Sequence, residues 1–232
     1  MTDSTHKKDP FAHLVISRKR KLYKFANFDS YANCFSYLRG EPPEQIQKSL
    51  QPWTHQDRPL VLEIAAGNAQ FSLQLAKRHP EVNFIAVDIK SDRLYSSARQ
   101  ALAEGTANIA FIRMNMLELN KVFMPSSIDT IWLTFPDPFS RKRSVRRRLT
   151  HPQFLDIYSN LLGSTGDLKL KTDSRELFLW SLEQLVAHKW RVKELSFDLH
   201  ESVMPDDYKV MTYYETRFTA EEVPINYGTF SH

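Results

Sequence analysis

Leu60-Val61-Leu62-Glu63-Ile64-Ala65-Ala66-Gly67-Asn68-Ala69 decides the fold: an apolar run of strand length runs into small residues and one glycine, and a segment of helical pattern follows. A strand-to-helix turn of this kind lies at the carboxyl edge of a parallel sheet, where backbone can approach a nucleotide closely. Gly67, the only glycine in the turn, supplies a positive φ or room for a ligand. Twenty-one residues later Asp88 closes a second apolar run, Asn83 to Val87. A carboxylate at that strand end can accept both hydroxyls of a ribose. Gly67 and Asp88 are therefore candidate cofactor residues, set against an ordinary turn between strand and helix.

Outward from this stretch, short apolar runs alternate with amphipathic segments, which predicts βαβ units and a mostly parallel sheet. Strands are expected at 60–65, 83–88, 109–113, 128–135, 166–172, 190–197 and 209–218, and helices at 69–79, 91–104, 152–162 and 174–189. Thr150 and Gln153 have the spacing of a capping box before the third helix. Phe178, Leu182 and Leu185 share a face of the fourth. With no helix between the last two strands, the α/β sheet of seven strands, covered by helices on both faces, should end in a hairpin-like antiparallel element. Residues 1–58 lack a clean period and read as a basic N-terminal arm and linker, and 59–232 as the catalytic-type domain.

The 232 residues carry a net charge of +4, one cysteine and six glycines, where average usage would give roughly sixteen glycines. An apolar fraction of 42% supports a real core and argues against disorder. Cys34 has no partner for an internal disulfide, and Met1 to Pro10 is polar, so a cytoplasmic, soluble protein is expected. No apolar stretch approaches the roughly 18 residues of a membrane span. The charge is unevenly placed. Residues 18–24 hold five basic groups and residues 141–148 hold six, which leaves −7 for the rest of the chain. A mildly acidic body with two cationic segments flanked by aromatics (Tyr23, Phe25, Phe28; Phe135, Phe139) is the footprint of a nucleic-acid binder, the alternative being solvated charge runs.

The turn lacks the three glycines of the dinucleotide fingerprint, which disfavours NAD. Glu63 would repel a pyrophosphate but suits a ligand with an ammonium and a sulfonium, such as S-adenosylmethionine. Glu63 and the small residues through Ala69 resemble the first motif of class I methyltransferases, with Ala65 and Ala69 where that motif usually has glycine. A positive φ at Ala65 would cost on the order of 1 kcal/mol. Further on, Phe135-Pro136-Asp137-Pro138-Phe139 leads directly into the second basic run. Each proline disfavours the α region for the residue before it, so Phe135 and Asp137 are both expected to be extended, offering the Asp137 carboxylate on a stiff loop at a strand's carboxyl end.

Phe135-Pro136-Asp137-Pro138, the block Arg141-Lys142-Arg143 and Arg146-Arg147-Arg148-Leu149-Thr150, Phe154-Leu155, Lys171-Thr172-Asp173 and Thr212-Tyr213-Tyr214-Glu215 together resemble the tRNA (guanine-N7-)-methyltransferase family over roughly residues 59 to 226. Phe139 stands where that family usually has tryptophan, and Arg141 where it has lysine; both changes preserve stacking and charge. The resemblance implies a Rossmann-like class I methyltransferase that moves a methyl group from S-adenosylmethionine to N7 of a tRNA guanine, at position 46 of the variable loop, leaving S-adenosylhomocysteine and using no metal. It implies Asp137 as the catalytic residue, also touching cofactor, with Glu63, Gly67, Asp88 and Asn115 on the cofactor. Arg141, Asp173, Thr212 and Glu215 would lie on the substrate guanine side, and Lys142, Arg143, Arg146, Arg147 and Arg148 on the RNA backbone. The partner implied is tRNA and no membrane; monomer and homodimer are equally compatible. The alternatives are an impaired methyltransferase-like RNA-binding protein, suggested by Ala65 and Ala69, and a nucleic-acid methyltransferase with another target base. The latter typically carries Asp/Asn-Pro-Pro-aromatic, whereas Pro136 has no side-chain acceptor for an exocyclic amine.

Overall fold

The computed structural model describes residues 20–38, 40–54, 57–211, 215 and 223–232. In chain order these form α1 (Arg20–Asn27), β1 (Cys34–Ser36), α2 (Pro43–Thr54), β2 (Leu60–Ile64), α3 (Gln70–Arg78), β3 (Asn83–Asp88), α4 (Ser91–Glu104) and β4 (Ile109–Arg113). The second half supplies α5 (Leu119–Val122), β5 (Ile128–Thr134), α6 (Pro152–Leu161), β6 (Leu162–Thr172), α7 (Arg175–Ala187), β7 (Arg191–Ser196) and β8 (Asn226–Ser231).

Alternation of side chains along each strand divides the core into two layers. Leu62 lies opposite Ile85 and Ile131 in the ladders of β2 with β3 and β5, and these belong to the layer shared with α2, α5, α6 and α7. Phe84, Ala86, Phe111 and Trp132 point the other way, into the layer under α1, α3 and α4. Both faces of the central strands are therefore apolar, as a parallel sheet covered on two sides demands. The eight strands run β1-β4-β3-β2-β5-β6-β8-β7. All ladders are parallel except those of β8, which is antiparallel to both β6 and β7.

Three expectations change. The described part of the presumed arm is not an appendage: β1 pairs with β4, Cys34 opposite Phe111, Tyr23 of α1 meets Tyr95 of α4 edge-on at 6.3 Å, and Trp53 of α2 donates to the Ala107 carbonyl at 3.0 Å. Arg18 and Lys19 of the first basic run lie outside the described residues. The antiparallel last strand exists but is Asn226–Ser231, not 209–218. Lys209 is in a turn and Val210 and Met211 are irregular, while 212–214 and 216–218 lie outside the described residues. The segment after β7 instead folds back over β6, with Tyr208 packed on Trp132 and Tyr227 and Asp207 held by Arg78 and His79. Finally, the capping box at α6 is replaced by a cap one residue later. Pro152 occupies the first turn, so His151 takes the cap position and its Nδ1 accepts from the Gln153 N–H at 3.4 Å, while the buried Thr150 hydroxyl pairs with Ser181 at 2.6 Å.

Gly228 sits in β8 between two partner strands, where a Cβ would stand 2.6 Å from the ring of fully buried Phe230. Gly228→Ala is expected to destabilise the protein by about 1–3 kcal/mol through overpacking, read as a lower urea midpoint; an unchanged midpoint would mean that Phe230 has room to move.

Candidate active site

The carboxyl ends of β2 to β6 open on one cavity of about 520 Å³, and the residues singled out in the sequence are placed around it selectively. After Ile64 the chain must turn into α3, and it does so through three left-handed residues: Ala65 (φ 55°), Gly67 (57°) and Ala69 (54°). For alanine that region costs roughly 1–2 kcal/mol, so the turn needs fasteners. Ala66 N–H donates to the Val87 carbonyl at 3.0 Å and Ala69 N–H to the Ala66 carbonyl at 2.7 Å. Gly67 N–H donates to Asp88 Oδ2 at 2.9 Å, and Lys90 N–H donates to Oδ1 at 2.8 Å. Asp88 thus clamps the turn as well as lining the cavity, a role its sequence position does not announce. Burial raises its carboxyl above the ordinary range against the pull of these two N–H groups. A Cβ on Gly67 would meet nothing within 4 Å, so its open side faces the cavity.

Glu63 is buried on the α3 face of β2. Its Oε2 accepts from the Ser72 hydroxyl at 2.6 Å and the Ser72 N–H at 3.2 Å, and its Oε1 accepts from the Thr134 hydroxyl at 2.5 Å. Burial pushes this carboxyl up while the three donors and Lys171 pull it down. Asn115 is exposed along the cavity, and its Oδ1 accepts from the Leu117 N–H at 3.0 Å, capping a short 3₁₀ turn. Sequence reasoning missed Ile89 and Leu117, apolar side chains 59% and 48% exposed on the cavity wall. The available signal was an apolar residue set in a polar loop immediately beyond a strand-end acid or amide.

The loop after β5 departs from expectation at one end. Pro136 excludes the right-handed α region for Phe135, but the chain leaves through φ 49° instead of an extended conformation, with the Phe135 N–H bonded to the Lys171 carbonyl at 2.7 Å. Phe139 has φ 41°. Asp137, between them, is exposed and lines the cavity. Arg146 and Arg147 stand exposed at the same cavity, Arg147 stacked 4.4 Å from the Phe139 ring centre. Arg141, Lys142 and Arg143 are exposed outside its lining. Arg148 is withdrawn from any RNA surface. It is buried, donates to the Pro138 carbonyl and to Glu176 at 2.8 Å each, and stacks on Trp180 at 4.7 Å.

On the far side, Asp173 lines the cavity. Glu215 does not: it is fully buried, 2.6 Å from Lys171 Nζ and 3.1 Å from His200 Nε2. Thr212 lies outside the described residues. The cavity therefore holds Glu63, Asp88, Asp137 and Asp173, with Lys90, Arg93, Arg146 and Arg147 also along it. Acids and cations along one cavity can serve a small cationic ligand and a polyanion side by side.

A doubly covered parallel sheet with one reversed strand, and a glycine turn clamped by a strand-end acid, make the Rossmann-like fold of the class I methyltransferases. The solved structures agree on the fold. The 16S rRNA methyltransferase KamB superposes with a TM-score of 0.61 at 12% identity, covering 79% of this chain and 92% of that one. A mutant of the 16S rRNA (adenine(1408)-N(1))-methyltransferase from Catenulisporales acidiphilia, solved with cosubstrate SAM, gives 0.57 at 14%, covering 84% and 93%. The family described as "Putative methyltransferase" matches residues 57–226. The tRNA (guanine-N(7)-)-methyltransferase of Bacteroides thetaiotaomicron is 34% identical over 217 residues, 91% of this chain and 85% of that one. That of Cytophaga hutchinsonii is 33% identical over 219 residues, 91% and 97%. The chain belongs to the tRNA (guanine-N(7)-)-methyltransferase family.

Arg148→Ala should remove the pin behind Pro138 and destabilise the protein by about 2–3 kcal/mol, since it empties the buried guanidinium's place and removes its charge-assisted bond to the Pro138 carbonyl. Glu176→Gln, at an exposed partner, should cost no more than about 0.5 kcal/mol. Urea unfolding of both variants checks the contrast, and equal effects would contradict the pin.

Proposed function

We propose that this chain transfers a methyl group from S-adenosylmethionine to N7 of a guanine in tRNA, releasing S-adenosylhomocysteine. The observation that carries the reading is the meeting, in one cavity, of the clamped carboxylates Glu63 and Asp88 with Asp137 and the exposed Arg146 and Arg147. It is supported by the names of the relatives, and family likeness extends it to position 46 of the variable loop and to a cytoplasmic location.

The residues fit this cofactor. The volume lies within the roughly 300–1,000 Å³ of small-ligand pockets, Gly67 presents open space to it, and the lining includes four carboxylates that can counter a sulfonium and an ammonium. Asp88 retains lone pairs for ribose hydroxyls, Glu63 sets negative charge by the methionine end, Ile89 and Leu117 offer apolar walls to adenine, and Asn115 offers its amide. S-adenosylmethionine supplies the sulfonium-borne methyl group. Guanine N7 has a free lone pair, so no base need remove a proton from it. The protein must hold N7 about 3 Å from the methyl, in line with the leaving sulfur, and stabilise a purine that becomes cationic. Asp137 serves both ends: its oxygens accept from the guanine N1–H and amino edge, and its charge faces the developing cation. Asp173 is a second acceptor on the guanine side. Arg146 and Arg147, with Arg141, Lys142 and Arg143 farther out, hold phosphates and position the RNA without reading its bases. The alternative of an impaired RNA-binding protein rested on Ala65 and Ala69, and both hold the left-handed backbone that glycine would have taken.

Purified protein with unmodified tRNA and labelled S-adenosylmethionine is expected to yield N7-methylguanine on nucleoside analysis; label on another base, or none despite bound cofactor, would overturn the assignment. Asp137→Asn should lower kcat/KM at least about 100-fold with tRNA affinity retained. Replacing Arg146 and Arg147 by Gln should flatten the plot of log affinity against log salt by about 1.5–2, whereas an unchanged slope would place the phosphates elsewhere.

A further inference from the structure

Arg175 occupies the first turn of α7, where the positive end of the helix dipole disfavours a cation. Of the two acids nearest it in sequence, Glu176 is taken by Arg148 and Asp173 lines the cavity; Arg175 forms no ion pair among the described residues. Instead its Nη1 donates to Asn226 Oδ1 at 2.9 Å, and its guanidinium lies 3.7 Å from the centre of the Phe197 ring. Asn226 is buried, opens β8 and donates through Nδ2 to the Thr172 carbonyl at 3.2 Å, which turns its amide oxygen toward Arg175. The ring of fully buried Phe178 meets Phe197 edge-on at 5.8 Å. Arg175 is nevertheless exposed, and Phe197 is 39% exposed. An exposed arginine normally keeps its rotamer freedom; this one is held from two sides although its charge stands against the helix dipole.

Position in the fold gives the arrangement a use. β7 runs parallel to β6, since both pair antiparallel with β8. Phe197, directly after β7, and Arg175, just after β6, therefore stand at the carboxyl edge that carries the cavity. Across that edge the same pairing recurs, with Arg147 stacked 4.4 Å from the Phe139 ring centre in the loop after β5. β5 and β7 are three strand spacings apart, about 14 Å, a distance that one RNA strand covers in a few nucleotides. A guanine lifted into the cavity leaves its neighbour without a stacking partner, and a guanidinium plane backed by an aromatic ring is a surface on which an unstacked base settles. We infer that Arg175 and Phe197 form a second RNA contact: a platform for a nucleobase beside the target guanine, across the cavity from Arg146 and Arg147. This rests on the methyl-transfer reading above.

Arg175→Lys keeps the charge and removes the plane, while Phe197→Leu keeps apolar packing on Phe178 and removes the ring. Binding of unmodified tRNA to the full chain, followed by fluorescence anisotropy, should weaken at least about fivefold in each, with Phe197→Tyr within about twofold of wild type. The double variant should lie within about twofold of the weaker single change, as for residues that act as one surface. The slope of log affinity against log salt should stay within about 0.5 of wild type in both single variants; a slope flattened by about 1 would mean a phosphate at Arg175 and overturn the stacking. In steady-state methylation KM for tRNA should rise with kcat unchanged, the mark of a binding contact. A tRNA made abasic on one side of the target guanine should bind wild type about as weakly as intact tRNA binds Phe197→Leu. Wild-type affinity in Arg175→Lys and Phe197→Leu, or full affinity of tRNAs abasic on either side, would overturn the proposal. Anisotropy needs no turnover: if wild type binds tRNA but methylates no guanine, the functional reading fails while the platform is still judged by affinity, and a wild type that binds no tRNA would end both.

Discussion

Two backbone N–H groups, from Gly67 and Lys90, converge on the carboxylate of Asp88, and the geometry of the cavity follows from that convergence. The turn after β2 carries two alanines in a conformation that each adopts only at a cost. Its outermost N–H would face a ligand or water were it not held by the end of the neighbouring strand. By binding Gly67, Asp88 transfers the rigidity of the β2–β3 ladder to the turn. The same carboxylate is left buried and raised in pKa, with lone pairs directed along the cavity. Position and chemistry are supplied by one side chain.

Charge is used in two ways in this molecule. Outside, arginines stand exposed at the cavity and can grip a polyanion. Inside, Glu63 under three donors and Arg148 between a carbonyl, a carboxylate and an indole are arranged so that every polar atom used has a partner. Such groups are expensive to bury and more expensive to strand. Each therefore fixes the relative placement of the elements it bridges: β2, α3 and β5 for Glu63, the Asp137 loop and α7 for Arg148.

Much of this was legible in the sequence. Apolar runs located the central strands because both faces of the sheet are covered, and the turn, Asp88, Asn115, Asp137 and Asp173 fell around one cavity because strand ends on one edge of a parallel sheet must meet. What escaped has a common physical cause: a residue's type shows that it is charged, not whether it has been paired. Arg148 read as one of six equivalent cations, and Glu215 as an acid on the substrate guanine side. The alternation of Lys169 and Lys171 gave no hint that a later segment covers them. That segment misled in turn, since Val210, Met211 and the following Thr-Tyr-Tyr have strand composition, while the true last strand, Asn226–Ser231, is interrupted by Gly228. The left-handed Phe135 escaped because a proline rules out one backbone region for its predecessor without choosing among the rest.

Methylation at N7 makes the guanine ring cationic and its reduced form prone to lose the base, so the modified position can be mapped by strand scission. Unmodified tRNA incubated with this protein and S-adenosylmethionine, then treated with borohydride and aniline, is the most direct measurement of the central claim. The account predicts one cofactor-dependent cut, at a guanine of the variable loop. An uncut tRNA that has nevertheless taken up the methyl group would contradict it.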